Sequence, residues 1–198
     1  MSGFRDFLFD RARSGPHALA VAITAVWWGE RLLLVGDDVK LFAQLAAKTG
    51  LTGRNCAVVG SEAAAARAEA AAASGGVLMD VVRGALPTLP VGDGEFDVAV
   101  LDTGPTLLSG LDATGRAHLI RSVHRALRVG GRVVIVEGQA PTFFGLVRTR
   151  SAGLDAFRSE GGSAKLLEAA GFQPVRILAD REGQRFTEGL KAQGLEAR

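Results

Sequence analysis

Apolar residues along this chain fall into two alternating rhythms. Short, mostly apolar runs at residues 32–35, 56–59, 77–82, 96–101 and 133–136 predict strands, the fourth of them nearly all apolar and so buried on both faces. Between them lie stretches with three- and four-residue apolar spacing. Residues 38–48 set Leu41, Phe42 and Leu45 on one side; residues 114–127 do the same with Leu119, Ile120, Val123 and Leu127. Residues 62–73 are alanine-rich, with Ser61 as N-cap and Gly75-Gly76 as stop, and read as a close-packing helix. Residues 163–170 form a further helix ended by Gly171.

Both ends depart from this alternation. Residues 1–13 predict a short amphipathic helix with Phe4, Phe7 and Leu8 on one side, and Pro16 opens a second helix over 18–28. Residues 138–162 carry no clean period and hold Phe143, Phe144, Leu146 and Phe157 among arginines. Their aromatic residues read as lining a pocket or as covering an interface, and the sequence leaves both open. The last strands, 175–178 and 185–190, are separated only by the turn 180–184, which forces them antiparallel, because a parallel crossover needs a dozen or more residues. The whole predicts one α/β domain over residues 1–198: a Rossmann-like sheet of seven strands, mostly parallel, its last strand antiparallel, with helices on both faces. Residues 1–30 form its N-terminal helical arm.

Composition narrows the class of protein. At 198 residues and 47% hydrophobic, the chain has enough apolar mass for one well-cored domain. A formal charge of +2 is nearly balanced and gives no basis for nucleic-acid binding. The apolar run 17–28 is shorter than the ~20 residues a membrane span requires, so no membrane partner is expected. A single cysteine, Cys56, fits a reducing interior, and charged residues at Arg5, Asp6, Asp10 and Arg11 stand where a secretory leader would be apolar. A cytoplasmic location is expected. The arginines of helix 114–127 (Arg116, Arg121, Arg125) and Arg128 beyond it read as a solvated face.

Candidate chemistry concentrates where strands end. The stretch Leu32-Leu33-Leu34-Val35-Gly36-Asp37-Asp38 turns from a buried strand, on glycine, into a helix start, which is where nucleotide-type ligands meet helix amides in open sheets. Asp102, at the end of the fourth strand before Thr103-Gly104, is placed to position a nucleophile or act as a base, and equally to cap a turn. His17, His118 and His124 are scattered with no metal-ligand spacing, so no metal is expected, and Cys56 reads as a small apolar core residue.

Several phrases, in order, resemble the class I S-adenosylmethionine-dependent methyltransferases, closest to the small-molecule branch typified by quinone biosynthesis. They are Leu119-Ile-Arg-Ser-Val-His-Arg-Ala-Leu-Arg-Val-Gly-Gly-Arg-Val-Val-Ile-Val-Glu137, Leu89-Pro90 with Asp93-Gly-Glu-Phe-Asp97, and Leu167-Glu-Ala-Ala-Gly-Phe172. The resemblance runs from about Leu32 to Leu190. It implies methyl transfer from S-adenosylmethionine to a small molecule, with Gly36, Asp37, Asp38, Gly60, Ser61, Glu62, Gly84, Ala85 and Asp102 around the cofactor and Asp102 near the reacting atoms. It also implies a substrate lid over residues 138–162. A homodimer is a further expectation.

The same resemblance marks where this chain departs. The family's acidic residue at the end of the first strand falls on Leu34, and its second and third glycines fall on Asp38 and Lys40. The acid that grips the ribose falls on Gly60, with Ser61 and Glu62 following, and the adenine-side aspartate falls on Ala85 after Gly84. A carboxylate on a vicinal diol makes two charge-assisted hydrogen bonds, and losing it costs on the order of a hundredfold in affinity. Asp38 would itself satisfy the helix amides and oppose the cofactor's carboxylate while favouring its sulfonium. Two readings follow: a methyltransferase with a variant pocket, in which Glu62 reaches back to the ribose and Lys40 pairs with the methionine carboxylate, or a non-catalytic relative that has lost the cofactor and serves as a binding or assembly partner.

Overall fold

The computed structural model describes residues 17–104, 107–108, 110–138, 157, 159 and 161–192. The predicted helix 1–13, Pro16, and Phe143, Phe144 and Leu146 lie outside the described residues. In chain order the elements are α1 (Ala18–Thr24), β1 (Arg31–Val35), α2 (Val39–Thr49), β2 (Arg54–Val59), α3 (Glu62–Gly75), β3 (Asp80–Arg83), β4 (Phe96–Asp102), α4 (Ala113–Ala126), β5 (Leu127–Gly138), α5 (Gly162–Ala169), β6 (Val175–Arg181) and β7 (Gln184–Leu190).

The seven strands form one sheet in the order β3-β2-β1-β4-β5-β7-β6. Pairings among β1 to β5 are parallel, and β7 inserts antiparallel between β5 and β6. The order reverses direction between β1 and β4, the switch point at which open α/β sheets leave a crevice beyond their strand ends. The strand alternation divides the core in two. Leu33, Val35, Ala99, Leu101, Val133 and Ile135 face α4 and α5, packing on Leu119, Ile120, Val123 and Leu167. Leu32, Leu34, Val98, Val100 and Val136 face the other way, onto Ala20, Leu41 and Phe42. Phe42, Phe96, Phe172 and Phe186 are wholly buried, each worth about 1.5–3 kcal/mol of transfer free energy.

Four elements differ from the sequence-based expectation. Helix α1 stops at Thr24 rather than running to residue 28, because Ala25 adopts a left-handed conformation (φ 45°). Its last carbonyls, of Thr24 and Ala25, accept from the guanidinium of Arg132 on β5, 108 and 107 residues away. Strand β3 begins at Asp80, since an edge strand has a single neighbour and Leu78 points into solvent. Strand β5 begins at Leu127 rather than at residue 133, and the double glycine forms a bulge inside it: Phe96 pairs with Leu127 and Val98 with Arg132, leaving Gly130 at φ 76° between them. The closing hairpin is tighter than expected, a two-residue turn with Glu182 (φ 54°) and Gly183 (φ 75°) both left-handed.

The arginine row is also more than a solvated face. Arg116 donates to the Leu108 and Leu111 carbonyls and stands 5.2 Å over the Phe157 ring. Arg125 pairs with Asp93, and Arg128 with Asp97. Burial alone would raise the Asp97 carboxyl, but hydrogen bonds from Arg31 and Arg128 outweigh it and hold the group at about 2.

Candidate functional site

The site is built from two strand-to-helix turns that lie side by side, since β1 pairs with β2 up to Val35 and Val58. The first follows β1. Gly36 sits at φ 140°, and a Cβ there would collide with the Asp102 carbonyl of β4. That close backbone approach is what the glycine supplies. Asp38 then caps α2, its Oδ1 accepting from the Leu41 amide at 3.0 Å, while the Val39 amide donates to the Asp37 carbonyl at 3.0 Å. His17, just ahead of α1, places Nε2 3.5 Å from Asp38 Oδ1.

Asp102 lies under this turn. Its carboxylate accepts from the Gly104 amide at 3.3 Å and from the backbone N–H of Asp38. Burial pushes its pKa up, the negative charges of Asp38 and Asp37 push the same way, and the two amides only partly offset them. The β1 and β4 ends therefore bring Gly36, Asp37, Asp38 and Asp102 together as a glycine-backed corner of three carboxylates. Lys40 is exposed on α2, and Leu34 is wholly buried against α1 and α2.

The second turn is open. Nothing lies within 4 Å of where a Gly60 Cβ would stand. Ser61 caps α3 by accepting from the Ala64 amide at 3.2 Å. Glu62 is 81% exposed and pairs with Arg83, the last residue of β3. The Gly84 amide donates to the Val59 carbonyl at 3.1 Å, and a Cβ at Gly84 would meet Pro90 at 2.6 Å. Ala85 is exposed, its carbonyl accepting from the Thr88 amide at 3.2 Å. Thus Gly60, Ser61, Glu62, Gly84 and Ala85 share one shelf beyond β2 and β3. Glu62, which one of the two readings brings back to the ribose, meets Arg83.

Sequence reasoning passed over three features of the same strand ends. His17 was read as one of three scattered histidines, yet the fold sets it on Asp38. Arg83 becomes visible only once β3 is known to end beside α3. Glu137, at the end of β5, is 3% exposed and accepts from the Ser163 hydroxyl of α5. An acid closing an otherwise apolar run was its signal. Beside α5 a cleft of about 310 Å³ runs to α4, lined by Arg116, Phe157, Lys165 and Leu166 among others. Phe157 is buried there rather than displayed. Among the described residues no group of three His, Cys, Asp or Glu side chains is arranged to hold a metal ion, and no helix is long and apolar enough to cross a membrane.

No family model matches the chain, and no curated protein matches it. Solved structures do. A SAM-dependent methyltransferase from Aquifex aeolicus superposes with a TM-score of 0.71 at 15% identity, over 92% of this chain and 93% of that one. A SAM-dependent methyltransferase from Methanosarcina mazei gives 0.59 at 20%, over 82% and 92%. A TehB-like SAM-dependent methyltransferase from Corynebacterium glutamicum gives 0.57 at 16%, over 96% of each chain. At such identities the likeness is one of fold. The architecture is the Rossmann-like, seven-stranded methyltransferase fold.

Proposed function

We propose that the chain transfers a methyl group from S-adenosylmethionine to a small molecule, holding the donor chiefly through its cationic end. The observation that carries this reading is the corner at the β1/β4 switch point, where Gly36 lies against Asp102 and the negative charges of Asp38 and Asp37 act on the Asp102 carboxylate. Three carboxylates favour a sulfonium and an ammonium and disfavour an anion. When bound, the donor would supply an electrophilic methyl group. Asp102, its pKa raised by burial, is suited to accept a proton from the attacking group nearer to neutral pH than an ordinary aspartate. The glycine-backed turn and the open Gly60 shelf fit a nucleoside lying across both turns. Its ribose would then compete with Arg83 for Glu62. The cleft holding Phe157 is of a size for a small acceptor.

A specific observation favours the second reading, a non-catalytic protein of this fold acting as a binding or assembly partner. The Leu41 amide of α2, which could hold the donor's carboxylate, is taken by Asp38, and Glu62 already has a cation. Calorimetry with S-adenosylmethionine and its demethylated product separates the two. If the carboxylates do the gripping, the sulfonium donor binds about three- to tenfold more tightly than the thioether product, and Asp38→Asn narrows that gap. Absence of heat at millimolar donor would end the enzyme reading.

A further inference from the structure

Strands β1, β2 and β3 are parallel neighbours, so the three turns that lead into them lie at one end of the sheet, opposite to Gly36 and Gly60. Each of these turns holds large apolar side chains in solvent. Trp27 and Trp28, ahead of β1, are each 69% exposed; Leu51, ahead of β2, is 84% exposed; Leu78, ahead of β3, is 78% exposed. Contacts tie this end together. The Gly29 amide donates to the Thr49 carbonyl at 2.8 Å, a Cβ at Gly50 would collide with the Trp28 ring, and the Asn55 side-chain amide of β2 donates to the Leu78 carbonyl at 2.9 Å. Four of the six large apolar side chains exposed among the described residues thus share one end of the sheet.

Area and charge say what such a face takes. A tryptophan offers up to about 250 Å² and a leucine about 100 Å², so at these exposures the four residues leave roughly 500 Å² in water. Apolar patches of that size on a monomer are commonly functional. Two such faces together remove about 1,000 Å² from water, the total at which a specific interface begins. The charges beside the patch are answered within the chain. Arg31, first in β1, pairs with Asp97 at 3.2 Å; Arg54, first in β2, pairs with Asp80, first in β3, at 3.4 Å; Arg132 pairs with Glu30 at 3.5 Å. Neutralised pairs exert little pull on anionic lipid, and they let an identical face approach without like-charge repulsion.

We propose that this end of the sheet pairs with the same end of a second copy of the chain, in an isologous dimer built on Trp27, Trp28, Leu51 and Leu78. Aromatic residues are enriched in the buried centre of such contacts, and in a two-fold contact each residue acts twice. The turns at Gly36 and Gly60 stay open, because they stand at the far ends of β1 and β2. This inference is independent of the methyl-transfer reading, because its test needs neither donor nor acceptor.

Sedimentation equilibrium of the full chain from about 1 to 200 µM is expected to show the mass rise from 20.6 kDa towards twice that value. Leu51→Glu and Leu78→Glu change side chains that the fold leaves mostly in water. Each is expected to raise the dissociation constant about tenfold or more, since each sets two like charges in the contact. Trp27 and Trp28 are the chain's two tryptophans and it has no tyrosine, so iodide quenching of its emission is expected to fall as the dimer forms. A monomer throughout the range overturns the proposal. So does a dimer that both variants leave unchanged, and so does indole shielding that appears only on added phosphatidylcholine vesicles, which would make lipid the occupant.

Discussion

The two turns beyond β1 and β2 obey one grammar and end in opposite states. Each leaves a buried parallel strand through a glycine, and each caps its helix with an oxygen three residues from the amide it accepts from: Asp38 for Leu41 and Ser61 for Ala64. At Gly36 the backbone is pressed against Asp102, the caps are acidic and the amides are occupied. At Gly60 there is open space, a neutral cap and a solvated ion pair. Local sequence sets the turn, but what the neighbouring strand end brings decides whether it closes. On the side away from the other turn, Gly36 has β4 beside it, ending in Asp102, while Gly60 has the four-residue edge strand β3.

The sharpest way to break this contrast is to add one methyl group to each turn. Gly36→Ala forces a side chain into the Asp102 carbonyl at a left-handed φ and is expected to cost about 2–4 kcal/mol in urea unfolding. Gly60→Ala, with nothing nearby to meet, stays within about 0.5 kcal/mol of wild type. Equal costs would sink the distinction between a closed corner and an open shelf. Removing the caps should matter less: Ser61→Ala costs about 1 kcal/mol. Asp38→Ala costs no more than Ser61→Ala, because it also relieves repulsion with Asp102.

Asp102→Asn sharpens the comparison through pH. A carboxyl whose folded pKa lies above its unfolded value binds its proton more tightly when folded. Stability is then full below the unfolded aspartate pKa and is lost as pH rises through the raised one. Wild type minus Asp102→Asn, measured by denaturant titration across pH, should therefore fall over that window and be level on either side. A flat difference would mean that burial does not load this group. Smallest of all is Glu62→Ala. Its exposed pair with Arg83 is expected to contribute under about 0.5 kcal/mol to stability. If the shelf holds a ribose, the same change lowers donor affinity about tenfold or more, read by calorimetry.

Much of this was legible in the chain. The runs ending at Val35, Val59 and Val136 are strands because an uninterrupted apolar stretch can only be buried between two layers, and Ser61 and Gly76 bound α3 as their chemistry requires. The antiparallel hairpin followed from chain length alone. The end of α1 was not legible, because the apolar run to Trp28 continues past a left-handed Ala25 whose cause is tertiary. Nor was the bulge at Gly130, since glycines that bend a strand and glycines that end one look alike in sequence. Gly36, Asp38 and Asp102 stand out in the sequence because they sit at strand ends, and the fold brings them near one another. Glu62's engagement with Arg83, His17's with Asp38 and the burial of Glu137 depend on which strand lies next to which. Spacing along the chain carries no information about that.

The clasp of Arg132 on the carbonyls of Thr24 and Ala25 has a consequence for the order of assembly. The first helix leaves the ribosome early, yet the group that satisfies its end is made more than a hundred residues later. Ala20 can pack on Leu41 and Phe42 as soon as α2 is made, but the carbonyls of Thr24 and Ala25 wait for β5. The end of this helix is thus completed later than its body.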